Sequence, residues 1–100
     1  MEGMTRYLVE FAGTLIFLLV ILRVTREDST VGNLVPVAIV SGLLVSIWLF
    51  GDISGGHFNP AVSVMFLLKD GSGELMKTVG YIAAQVLGGA SALALHKVLV

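Results

Sequence analysis

The sequence predicts an all-α membrane protein with three transmembrane helices and one short re-entrant half-helix. Composition is the first indication, because the 100-residue chain is 56% hydrophobic and only 13% charged, with a mean hydropathy of +0.95. Soluble domains carry roughly 25% charged residues. The second indication is segment length: three apolar segments are long enough to cross a bilayer, whereas a fourth is too short. Both features favour lipid over water as the surroundings of this chain.

The three long apolar segments lie at residues 4–24, 34–50 and 75–100. The first extends about 31 Å as a helix, which matches a hydrocarbon core of roughly 30 Å. The second carries Pro36 in its first turn, where the missing N–H group costs little. A polar connector at residues 25–33 has no hydrophobic period and is typical of a solvated loop. We therefore expect three membrane-spanning helices.

A Gly-rich stretch followed by a short apolar run forms residues 51–68. We expect the Gly-rich stretch to be irregular, with residues 54–59 non-helical. The apolar run, residues 60–68, extends about 13 Å as a helix, under half of a bilayer, before a Lys-Asp-Gly sequence ends it. Irregular backbone persists at membrane depth only where it faces protein or a water-filled cavity. The pattern therefore predicts a re-entrant loop and half-helix.

The dipeptide Asn59-Pro60 predicts how this half-helix begins. Asn is a favoured N-cap residue, and Pro is favoured at the first helical position. The positive end of the helix dipole and the Asn59 amide N–H groups then face the middle of the membrane. Gly55 and Gly56 permit an extended approach whose carbonyl groups form a row of acceptors. Donors at one end and acceptors along the path orient water or small neutral solutes, and the positive end of the half-helix disfavours cations.

Two polar residues lie inside the long apolar segments. Glu10 in the first is expensive to bury, so we expect a partner for its carboxylate. It either reaches the membrane interface or accepts hydrogen bonds from backbone N–H groups of the re-entrant loop. Gln85 in the third segment likewise needs partners for its amide.

The residues SGGHFNPAV, at positions 54–62, resemble the first signature loop of the aquaporin and glycerol-facilitator family, the major intrinsic proteins. The residues EFAGT, at 10–14, resemble the first-helix pattern of that family, and YIAAQVLGG, at 81–89, its third-helix pattern. The family fold contains two inverted repeats, each with three spanning helices and one half-helix. The resemblance implies that residues 1–100 are a single repeat, the first.

The resemblance also implies roles for individual residues. The pore and selectivity residues implied are Asn59, Pro60, Ala61, Gly55, Gly56, His57, Val62 and Ile39. Glu10 and Gln85 match the buried polar residues that brace the loop. The second Asn-Pro-Ala motif of the family and the filter arginine that follows it are missing. The filter position on the second helix is expected near Ile39 to Ser41, and because neither candidate there is aromatic the choice between water and glycerol stays open.

The leading functional hypothesis is a channel component for water or small neutral polar solutes such as glycerol, acting by passive transport. The alternative is a truncated or structural membrane fragment without channel activity. We expect no enzyme, because no nucleophile, base or metal-ligand set recurs at a suitable spacing. No cofactor and no metal are expected. The net charge of −1 leaves no basic patch for nucleic acid.

The expected partners are membrane lipid, the solute and a second repeat, in an oligomer. The second repeat is either the same type of chain in the opposite orientation or a missing C-terminal half. Three cationic residues are expected on each side of the membrane: Arg6, Lys69 and Lys77 on one, and Arg23, Arg26 and Lys97 on the other. A chain without a Lys/Arg imbalance has no preferred orientation under the positive-inside rule.

Overall fold

The structure is a computed structural model, and it describes residues 2–100. Four α-helices form this part of the chain: α1 (Glu2–Val24), α2 (Val35–Ser54), α3 (Pro60–Asp70) and α4 (Leu75–Leu99). Three helical stretches are long and apolar enough to cross a membrane, with mean hydropathies of 2.1, 2.3 and 1.4. Residues 2–100 contain no β-strand. The all-α membrane fold class predicted from the sequence is confirmed.

Helix α1 lies at the centre of the bundle, with α2 on one side and α4 on the other, while α3 packs against α4. Tyr7 of α1 faces Gly80 of α4, and Thr14, two turns later, faces Gly88. The contacts advance together along both helices, so α1 and α4 run parallel. A methyl group at Gly88 would lie 2.7 Å from the carbonyl oxygen of Phe11. Glycine therefore permits a backbone approach that no other residue allows here.

Small residues also form the contact between α1 and α2. A methyl group at Gly42 would lie 3.2 Å from Cβ of Val20. The buried Ser46 hydroxyl donates to the carbonyl oxygen of Gly42 at 2.9 Å and contacts that of Gly13 at 3.3 Å. Small residues of α2, Gly42 and Ser46, and of α4, Gly80 and Gly88, thus face α1 and allow the three helices to pack closely.

Polar side chains occupy the interior of the bundle and apolar ones its surface. The buried polar residues are Glu10, Thr14, Ser46, Ser54, Ser63, Thr78 and Gln85. Large apolar side chains on the outside, such as Trp48 and Val98, are 81% exposed. A lipid environment favours this arrangement, because the exposed apolar side chains contact hydrocarbon and the polar groups form hydrogen bonds inside the bundle.

Helix α2 extends further than the sequence predicted. We expected it to end at residue 50 and residues 51–59 to be irregular, but the helix continues to Ser54. It ends at Gly55, whose φ of 93° is left-handed and whose N–H group donates to the carbonyl oxygen of Gly51 at 2.8 Å. A single glycine such as Gly51 is tolerated in a helix, whereas the left-handed residue stops it.

Helix α3 is short, with 11 residues, and so extends about 16 Å. It begins directly after Asn59, as expected, and ends at Asp70 rather than residue 68, before the left-handed Gly71. The polar connector contains a short 3-10 helix at Gly32–Leu34 that the sequence prediction did not include. Because α3 is too short to cross, the chain returns to the side from which the loop entered.

Candidate functional site

The carboxylate of Glu10 organises the re-entrant loop, which we define as residues 55–59. Glu10 is fully buried. Its Oε1 accepts hydrogen bonds from the backbone N–H of Phe58 at 2.8 Å and from Nε2 of Gln85 at 3.0 Å. Its Oε2 accepts from the hydroxyl of Ser54 at 2.6 Å and from the backbone N–H of His57 at 3.0 Å. Four donors thus satisfy both oxygens, which makes a carboxylate acceptable inside an apolar bundle.

The backbone of the loop adopts a left-handed conformation at three positions near this carboxylate. Gly55, Gly56 and Phe58 have φ values of 93°, 64° and 52°. A left-handed conformation is uncommon for a residue with a side chain, and it persists only where the surroundings compensate for it. The surroundings of Phe58 do so, because its N–H group donates to Glu10 and the residue is 2% exposed. That ring lies against Gly13, where a methyl group would overlap it.

Ser54 links the end of α2 to the loop. Its hydroxyl oxygen accepts from the backbone N–H of Gly56 at 3.1 Å while its hydrogen is donated to Glu10. The hydroxyl of Tyr81, on α4, donates to the carbonyl oxygen of Ser54. The end of α2 and the loop are therefore both tied to α1 and α4 through one serine.

A second chain of hydrogen bonds runs from Gln85 through Ser63 to His57. Gln85 uses its two amide hydrogens on Glu10 and on the hydroxyl oxygen of Ser63, the latter at 2.9 Å. Ser63 then has its own hydrogen available for Nδ1 of His57, at 2.8 Å. In the tautomer that carries its ring proton on Nε2, Nδ1 accepts this hydrogen. The ring stacks on Phe66 with centroids 4.8 Å apart.

The N-terminus of α3 presents hydrogen-bond donors. Oδ1 of Asn59 accepts from the backbone N–H of Ala61 at 2.8 Å and so caps the helix. The Asn59 side chain is exposed, and its Nδ2 group has no partner within residues 2–100. The carbonyl oxygens of Gly55, Gly56 and His57 accept no hydrogen bond from the described residues. The loop and the start of α3 therefore carry three free acceptors and two free N–H donors.

The structure brings most of the predicted site residues together around this loop but not Ile39. Ile39 is half-buried near the start of α2, and the 15 residues to Ser54 correspond to about 22 Å of helix. Other residues of the network were not identified from the sequence: Gly13, Ser54, Phe58, Ser63 and Tyr81. The hydroxyl residues that flank the Gly-rich stretch were the signal available for two of them.

A comparison with protein families decides the classification. The model of the family described as major intrinsic protein matches residues 1–100. The chain belongs to the major intrinsic protein family. With its three apolar spans, this family member is an integral membrane protein.

Three relatives among the major intrinsic proteins illustrate the similarity. Glycerol uptake facilitator protein-like 6 of Lactiplantibacillus plantarum is 38% identical over 96 residues, which cover 94% of this chain and 43% of the relative. The aquaglyceroporin of Toxoplasma gondii is 37% identical, over 87% of this chain and 33% of the relative. Aquaporin-8 of Rattus norvegicus is 36% identical, over 90% and 35%. This chain thus spans less than half the length of these relatives, and no solved structure matches it.

Proposed function

We propose that the chain forms half of a transmembrane pore for water or small neutral polar solutes such as glycerol. The observation that carries this proposal is the free amide of Asn59 at the N-terminus of a short helix that Glu10 holds in place through the loop. Relatives named aquaporin and glycerol uptake facilitator support the same class of solute. Transport of a solute along this loop is passive and requires no chemical reaction.

The mechanism follows from the donors and acceptors of the loop. Asn59 Nδ2 donates to the oxygen atom of a passing molecule, while the carbonyl groups of Gly55, Gly56 and His57 accept its hydrogens. The positive end of the α3 dipole disfavours cations at the same point. Pro60, Ala61 and Val62 supply apolar wall beside these groups. Ile39 lies about 22 Å along α2 from Ser54, and we propose that it forms the wall of the opposite half of the path.

A complete pore requires a second repeat. The polar N-terminus of one half-helix is incompatible with lipid and needs a counterpart. Either a second chain of the same type inserts in the opposite orientation, or a C-terminal half of a longer protein supplies it. The cationic residues divide evenly, with Arg6, Lys69 and Lys77 at the end of the bundle where α1 begins and Arg23, Arg26 and Lys97 at the other end. This balance favours neither orientation.

Replacement of Asn59 by Asp tests the role of the amide. The carboxylate keeps the oxygen that caps α3, so the fold is retained, but both N–H donors are lost and a negative charge is added. We expect severalfold weaker exclusion of cations and altered water permeability. Stopped-flow swelling and ion-flux measurements on lipid vesicles with the reconstituted protein provide the readout.

The matched control is Asn33→Asp, which adds the same charge at the other asparagine of the chain, an exposed residue outside the loop. We expect its flux to equal that of the parent protein. Water and glycerol permeabilities equal to those of protein-free vesicles for the parent, with insertion in both orientations verified, would contradict a pore formed by two copies of this chain. A pore completed by a C-terminal half, or a structural fragment without channel activity, would then remain.

Cysteine labelling identifies the source of the second repeat. Thr25 and Ser72 are exposed at opposite ends of the bundle, and the chain has no cysteine of its own. Single Thr25→Cys and Ser72→Cys variants are treated with a membrane-impermeant thiol reagent from each side. A pore built from two oppositely oriented copies requires labelling of each site from both sides. Labelling of each site from one side only would exclude that pore and leave a C-terminal half or another chain.

A further inference from the structure

A cavity of about 310 Å³ lies between α1, α4 and the re-entrant loop. Its walls are largely apolar and include Phe17 and Val86, with Asn59 at one side. Two polar side chains also line it, Thr14 and Gln85, and each is only 2% exposed. Within residues 2–100, Oγ1 of Thr14 and Oε1 of Gln85 have no hydrogen-bond partner. Two buried polar atoms without partners in one cavity indicate a ligand that satisfies both.

A flip of the Gln85 amide would not give Oε1 a hydrogen-bond donor. Both of its hydrogens are donated, one to Glu10 and one to Ser63. A flip would place the amide oxygen against the Glu10 carboxylate, acceptor against acceptor. The network around the loop thus holds Oε1 unpaired. A buried carbonyl oxygen without a donor is costly, and the cost is higher where the surroundings are apolar.

We infer that Thr14 and Gln85 bind one hydroxyl group, from water or from a polyol such as glycerol. The ligand hydroxyl donates its hydrogen to Oε1 of Gln85, and its oxygen accepts the hydrogen of the Thr14 hydroxyl. Asn59, on the same cavity, has free Nδ2 hydrogens for a second oxygen. The apolar walls suit the carbon chain of a polyol. This is a binding site beside the loop, and its occupancy is measured separately from flux.

Infrared spectroscopy tests this site directly, because Gln85 is the only glutamine in the chain. Cell-free synthesis with glutamine labelled with ¹³C at the side-chain carbonyl isolates one amide band. In membrane films, raising the humidity is expected to shift this band reversibly to lower wavenumber as the carbonyl gains a donor. A further shift on adding glycerol identifies a polyol as the ligand, whereas no further shift identifies water.

Two variants make the test specific. Thr14→Val removes a hydroxyl that has no partner in the fold, so folding is retained, and the humidity-dependent shift should weaken or disappear. Ser46→Ala removes another buried hydroxyl, whose partners are backbone carbonyls outside the cavity, and should leave the shift unchanged. A band that does not respond to humidity or glycerol in the parent protein overturns the inference, because the carbonyl is then either unpaired or bonded to a polypeptide N–H.

Discussion

Replacement of Glu10 by Ala should release the re-entrant loop from α1 and destabilise the whole bundle. The substitution leaves four donors without their acceptor, three of them buried, on Ser54, His57, Phe58 and Gln85. A hydrogen bond to a charged group is worth about 1.5–3 kcal/mol, and a stranded buried donor adds its desolvation cost. We therefore expect the largest loss of thermal stability in detergent of any single substitution, together with fast hydrogen exchange at the loop amides.

Glu27→Ala is the matched control for this substitution, since it removes a carboxylate that lies exposed in the connector between α1 and α2. It should leave the unfolding temperature almost unchanged. Glu10→Gln provides an intermediate case, because the side chain keeps its size but turns an N–H₂ group toward other donors. Equal stabilities of the Glu10→Ala and Glu27→Ala proteins would show that the carboxylate does not hold the loop.

Replacement of Gly88 by Ala should separate α1 from α4. A methyl group there would lie 2.7 Å from the carbonyl oxygen of Phe11 and 3.1 Å from Cβ of Thr14, and a backbone oxygen has little freedom to move. Overpacking of this kind costs about 1–3 kcal/mol. We expect a lower unfolding temperature in detergent.

The neighbouring Gly89→Ala variant is a close control, because both substitutions gain the same helix propensity, about 1 kcal/mol. A methyl group at Gly89 meets only the terminal Cδ1 of Leu18, at 3.0 Å, which rotates away easily. Gly89→Ala should therefore be neutral or stabilising. If the two variants were equally stable, the close approach of α1 and α4 at Gly88 would not limit packing.

The local features of this protein were predictable because they depend on neighbouring residues. Segment length and hydropathy predicted the three spans, and the Asn59-Pro60 pair predicted where α3 begins. The end of α2 was predicted wrongly, at residue 50 instead of Ser54. A helix continues through Gly51 while its hydrogen bonds are intact, and only the left-handed backbone of Gly55 ends it. Local composition does not distinguish these two glycines.

The sequence by itself determined a membrane protein with a short helix after a Gly-rich loop, and it indicated that Glu10 and Gln85 need partners. Only the tertiary structure decided which partners they have. Glu10 and Phe58 are 48 positions apart, and Glu10 and Gln85 are 75 apart. Such pairs meet because α1 and α4 pack in parallel at glycine contacts, which sets the depth of each polar group in the bundle. The left-handed Phe58 and the unpaired oxygen of Gln85 both follow from that depth, since a buried hydrogen-bond network depends on three-dimensional register rather than on sequence neighbours.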